Sequence, residues 1–187
     1  MKKLLAFALV AMMAGSALAA TGWYSDYVVV SVDGGSDEYY WIGSDPSYGT
    51  QYDGATFNIT LGQTLGFGAD MRYWGDGGDD RQGGAFYWQI DGGSANEVIW
   101  THTSVGGNDF QGTAPSTTDV AAGLGVGSYE VTVWAKSWGL GVGDDWLTNG
   151  GANYTADLNV TAIPEPATMS LLGLGALAMV IRRKIRK

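Results

Sequence analysis

Residues 128–138 read SYEVTVWAKSW. Successive side chains of a strand leave opposite faces of the sheet. Tyr129, Val131, Val133 and Ala135 therefore go to one side, and Glu130, Thr132, Trp134, Lys136 and Trp138 to the other. One side is apolar and the other mixed, which is the pattern of a strand with one face in a core and one face outward. The same period of two recurs on either side. Residues 64–74, TLGFGADMRYW, put Leu65, Phe67, Ala69, Met71 and Tyr73 on one face, against Gly66, Gly68, Asp70 and Arg72. Residues 84–91 oppose Phe86, Trp88 and Ile90 to Tyr87 and Gln89. Residues 152–162 oppose Tyr154, Ala156, Leu158 and Val160 to Asn153, Thr155, Asp157 and Asn159.

Shorter strands are expected at 27–32, 38–42, 55–61 and 97–103. Between these runs lie DGGS at 33–36, GDGGDD at 75–80, DGGSAN at 91–96 and NGG at 149–151. Gly, Asn and Asp are the residues that accept positive φ, so these are turns. No helical period longer than a turn appears before residue 167. About eight half-buried antiparallel strands joined by hairpins predict an all-β antiparallel sandwich of jelly-roll or immunoglobulin-like type. GLGVGSYEVTVWAKS, followed by a loop and a last alternating strand, resembles the closing strands of immunoglobulin-like and carbohydrate-module sandwiches.

The ends of the chain have another character. Residues 1–20 read MKKLLAFALVAMMAGSALAA, with Lys2 and Lys3 before an apolar stretch and Ala17-Leu18-Ala19 as a small-x-small cleavage site. This is the pattern of a secretory signal peptide, to be removed by signal peptidase after the secretion machinery has engaged it. The sandwich domain is then expected over residues 21–163. Within it, Arg72, Arg81 and Lys136 face eighteen Asp and Glu residues, a net charge of 3 − 18 = −15. Such a domain repels phosphate, which excludes nucleic acid as a partner. The chain has no Cys, so its stability has to come from a hydrophobic core, bound metal or both.

The C-terminal segment, residues 164–187, begins Pro164-Glu165-Pro166 and continues through an uncharged run at 167–181. Arg182, Arg183, Lys184, Arg186 and Lys187 end it. As a helix the uncharged run is a single hydrophobic span of about 22 Å, short of a hydrocarbon core of about 30 Å. The basic end would stay cytoplasmic. The order of motif, apolar run and basic cluster resembles the PEP-CTERM sorting domain over the last 25 residues, with Ile185 as an interruption of the basic cluster. The resemblance implies recognition by an exosortase, a membrane-embedded processing enzyme. It also implies a Gram-negative-type envelope, a transient anchor in the inner membrane, and export to the cell surface or exopolysaccharide matrix. Pro164, Glu165, Pro166, Arg182, Arg183 and Lys184 are the sorting residues on this view.

Chemistry-bearing residues in the domain are few. One His and no Cys leave no set for a transition-metal site or a Cys- or His-based triad. His102 shares its parity with Val98 and Trp100, which reads as a packed or hydrogen-bonded histidine. Asp76, Asp79 and Asp80 stand in a glycine-rich loop where carboxylates and carbonyls can surround a hard cation, so they are candidate calcium ligands. Asp144 and Asp145 are a second choice. Trp134 and Trp138 share one outward face. With Trp74 at a strand end and Trp146 in an expected loop, they are candidates for stacking on sugar rings. The expectation is a non-catalytic surface or exopolysaccharide-matrix protein. The alternative is a carbohydrate-binding module that recognises extracellular polysaccharide.

Overall fold

The computed structural model describes residues 21–43, 49–75, 81–141, 143–163 and 173–174. Its strands in chain order are β1 (Thr21–Val32), β2 (Glu38–Trp41), β3 (Thr56–Thr60), β4 (Leu65–Gly75), β5 (Arg81–Ile90) and β6 (Asn96–Ile99). They continue with β7 (Thr101–Gly106), β8 (Asp109–Asp119), β9 (Gly127–Gly139), β10 (Asp144–Leu147) and β11 (Tyr154–Thr161). One sheet has the order β2-β1-β4-β8-β7. The other has the order β3-β11-β9-β5-β6, with β10 paired to the far half of β9. The expected signal peptide at 1–20 lies outside the described residues. Of the expected C-terminal helix only Gly173 and Leu174 are described, and they are helical. Among the described residues no helix is long and apolar enough to cross a membrane.

The alternating runs do what their period requires. Leu65, Phe67, Ala69, Met71 and Tyr73 are all buried, and so are Val131, Val133 and Ala135 of β9 and Tyr154, Ala156, Leu158 and Val160 of β11. The two apolar faces share one core, in which Phe67 of the first sheet meets Phe86 of the second at 6.3 Å between ring centres.

Details of the sheets depart from the expectation. The sheets are not wholly antiparallel, because β3 runs parallel to β11, with Leu158 opposite Phe57. The run at 97–103 is two strands in different sheets: β6 pairs with β5, and β7 with β8. The chain crosses between layers at Trp100. A long strand, β8, occupies 109–119, where none was expected. Opposite Gly68 the pairing of β8 with β4 slips, and residues 115–117 arch over the outer face of β4. A Cβ on Gly66 would lie 2.0 Å from the Ser116 carbonyl oxygen, and one on Gly68 2.4 Å from that of Ala114. Glycine at these two outward positions is what lets the arch close down.

Trp100 fills the crossing. Its indole leaves no room for a side chain on Gly84 of the second sheet or Gly112 of the first, where a Cβ would fall 1.9 Å and 2.5 Å from the ring. The indole N–H donates to the Tyr73 hydroxyl at 3.3 Å. Tyr73 in turn lies 2.6 Å from His102 Nδ1. Burial pushes the Tyr73 phenol up to about 12, so it stays a neutral donor. His102 also stacks on Phe110, 5.0 Å between ring centres. The single histidine is thus held in an aromatic cluster at one end of the core.

Candidate functional site

The outward face of the second sheet carries the predicted tryptophans, and strand pairing decides which of them meet. Trp134 of β9 stands opposite Tyr87 of β5. Their rings are 5.6 Å apart and within 7° of parallel. Trp146 stands opposite Lys136. It was expected in a loop but belongs to β10, and pairing brings its ring 6.1 Å from that of Tyr87. Lys136 lies between two indoles, its Nζ 5.5 Å from the centre of Trp138 and 5.0 Å from that of Trp146. Such positions are attractive for an ammonium over an electron-rich face. Small residues on β5 make the space: a Cβ on Gly83 would come 2.9 Å from the Trp138 ring. Trp146 is the most open member, 47% exposed.

Tyr87 joins this patch although its sequence context had assigned it no role. The signal was its parity, opposite to Phe86 and Trp88. Its hydroxyl donates to Glu97 on the neighbouring strand. Burial, with the Glu97 carboxylate as acceptor, holds the phenol above its ordinary range. Trp74 is not part of the patch. It stands opposite Gly22 and Asp109 in the first sheet, on the other outer face of the domain. The four predicted tryptophans thus split into three and one.

The acidic candidates separate as well. Asp76, Asp79 and Asp80 lie outside the described residues. Asp144 and Asp145 are adjacent on β10, so their side chains leave opposite faces and do not chelate one cation together. Asp144 points outward and pairs with Lys136 at 3.4 Å. Asp145 shares its register with buried Ser137. Among the described residues no three His, Asp or Glu side chains gather as a metal site.

A second feature was not anticipated. At the open edge between the sheets, β1 and β2 on one side and β10, residues 148–150 and β11 on the other enclose a cleft of about 540 Å³. Trp23, Asp26, Trp41, Trp146 and Tyr154 are among its walls. Asp26 is only 2% exposed. Its Oδ1 accepts the Arg72 backbone N–H at 3.2 Å. Burial, with the fields of Asp70 and Asp145, raises its carboxyl from 3.8 to about 8 against the effect of that hydrogen bond. The sequence signal was its parity: Asp26 falls on the face of Val28 and Val30.

No curated protein matches this chain. The sorting residues Pro164, Glu165, Pro166, Arg182, Arg183 and Lys184 lie outside the described residues. They all fall within residues 162–184, which match the family model of the PEP-CTERM protein-sorting motif, the mark of an exported protein processed by an exosortase.

Proposed function

We propose that this chain is an exosortase-processed surface or matrix protein whose non-catalytic β-sandwich holds extracellular polysaccharide on the outer face of its second sheet. The carrying observation is the convergence of Tyr87, Trp134, Trp138 and Trp146 from three adjacent strands onto one outward patch. Aromatic rings offer a sugar ring an apolar face, and Glu97, Lys136 and Asp144 at the same patch offer hydroxyl partners. The domain charge of −15 disfavours polyuronates, so the expected ligands are uncharged or cationic glycans.

The test is affinity electrophoresis of the exported protein through gels containing neutral, amino-sugar and uronate polysaccharides. At least one of the first two classes should retard the protein. Trp134→Ala should weaken that retardation roughly tenfold, the loss of one aromatic contact. Equal mobility of parent and variant in every gel would refute the assignment of this face. Delivery has its own test: with Pro164, Glu165 and Pro166 all changed to Ala, the protein recovered from an exosortase-bearing host should keep the mass of its C-terminal segment. Normal removal of the segment from that variant would break the link between this motif and processing.

A further inference from the structure

The cleft at the edge of the two sheets combines features that the outer face does not. It is concave, about 540 Å³, and its walls include Trp41, Trp146 and Tyr154. Its acidic group, Asp26, is buried, and the only hydrogen bond it accepts from a described group is the Arg72 N–H. The Arg72 side chain is turned elsewhere, toward Asp109 at 3.9 Å and over the Tyr24 ring. The ionisable groups acting on Asp26 are Asp70 from β4, Asp145 from β10 and the Tyr154 phenol from β11. None of these supplies positive charge. A desolvated carboxyl in such surroundings gains most from a ligand that brings its own cation.

Three ligand classes can be compared. A divalent metal needs six or so oxygen ligands, and no three carboxylates gather here among the described residues. A uronate would meet the like charges of Asp70 and Asp145 beside Asp26. An ammonium group pairs with a carboxylate and is also attracted to the faces of aromatic rings. We propose that this cleft binds the protonated amino group of an amino-sugar unit, with Asp26 as its counter-ion and Trp41, Trp146 and Tyr154 as its walls. The choice of a sugar as carrier of the amine rests on the glycan-binding function proposed above. The remainder rests on the cleft alone.

Binding is coupled to a proton. The carboxyl of Asp26 holds its proton to about pH 8 in the free protein, whereas an ammonium ligand needs the carboxylate. The proton must leave as the ligand enters, so affinity rises with pH while both the ligand and the free Asp26 remain protonated.

The experiment is calorimetric titration of the exported protein with a glucosamine tetramer and with its N-acetylated counterpart, at pH 5 and pH 6. The amino tetramer should bind, and the N-acetylated one should bind at least about tenfold more weakly. Affinity for the amino tetramer should rise by up to about tenfold over that pH unit, with close to one proton released into buffer per ligand. Asp26→Asn should abolish both the binding and the proton release. Its fold is checked by a melt, and removal of a buried acid favours the folded state. Trp74→Ala, on the other outer face of the domain, should leave the titration unchanged. Equal binding of the two tetramers, or full binding by Asp26→Asn, would overturn the proposal. Loss of binding in Trp134→Ala but not in Asp26→Asn would move the amine to the outer face, overturning the cleft site while leaving the glycan function standing. Equal binding of a lysine tetrapeptide would overturn the sugar as carrier.

Discussion

Trp100→Ala should destabilise the protein by about 3–5 kcal/mol, the cost of emptying a large buried aromatic site. For a domain of this size that is a fall in Tm of roughly 10–20 °C. The site has little means of collapsing. Gly84 and Gly112, on opposite sheets, both lie against the indole, so neither contributes a side chain that can move inward. The Tyr73 hydroxyl would also lose the N–H it now accepts. Trp23 and Tyr73 pack on the same ring, at 6.1 Å and 5.7 Å. The checks are thermal melts and urea titrations of parent and variant. Trp146→Ala is the contrasting case, because its ring is 47% exposed, and it should move stability by no more than about 1 kcal/mol. A Trp100→Ala variant as stable as Trp146→Ala would show that the indole does not join the two layers.

Asp26→Asn should stabilise the protein at neutral pH, with a gain that depends on pH in a defined way. The folded carboxyl is raised to about 8 from its ordinary value of 3.8, principally by burial. Below about pH 4 both folded and unfolded forms hold the proton, and this group costs nothing. As pH rises from 4 to 8 the unfolded chain ionises and the folded one does not, so stability is progressively lost. Above 8 the loss is complete. A shift of that size corresponds to an upper limit of about 5–6 kcal/mol. The Asn variant keeps an oxygen for the Arg72 N–H and has no proton to lose. Urea unfolding at several pH values should therefore give parent and variant curves that converge near pH 4 and separate steadily up to pH 8. Parallel curves would mean that Asp26 ionises as freely in the folded protein as in the unfolded chain.

Much of the architecture was legible because a strand with one buried face writes its orientation into the sequence. The runs around Phe67, Val131 and Leu158 gave their inward residues correctly from parity alone. Parity cannot say which sheet a strand joins. Val98, Trp100 and His102 keep one unbroken period, yet the chain changes sheets between them, and that choice is made by the glycines that accept the indole. Strand β8 escaped notice because its buried positions are Phe110, Gly112 and Ala114, two of them small, and because Pro115 interrupts it. It is a strand whose inner face is shaped around another residue's ring. Strand β10 is short and opens with two acids, which read as a loop.

The candidate sites divide along the same line. Trp134 and Trp138 were placed outward by parity, and they are outward. Their grouping with Tyr87 and Trp146, and the separation from Trp74, depend on strand order, which local sequence does not carry. The cleft depends on the distance between two sheet edges. Asp26 was nonetheless visible as an acid on the parity of Val28 and Val30, and a charge on an inward face is a reason to look for a ligand or a perturbed proton. The sorting motif is the opposite case. It is a linear signal read by another protein, so its meaning lies in the order of its residues and not in a fold.

Delivery and grip meet in one measurement: the distribution of the exported protein between polysaccharide matrix and culture medium in an exosortase-bearing host. The parent should be retained in the matrix fraction and released when the polysaccharide is enzymatically stripped. A Tyr87→Ala, Trp134→Ala double variant should be processed normally and found largely in the medium. Equal retention of parent and double variant would contradict the account, because the protein would then be held by something other than the aromatic face of its second sheet.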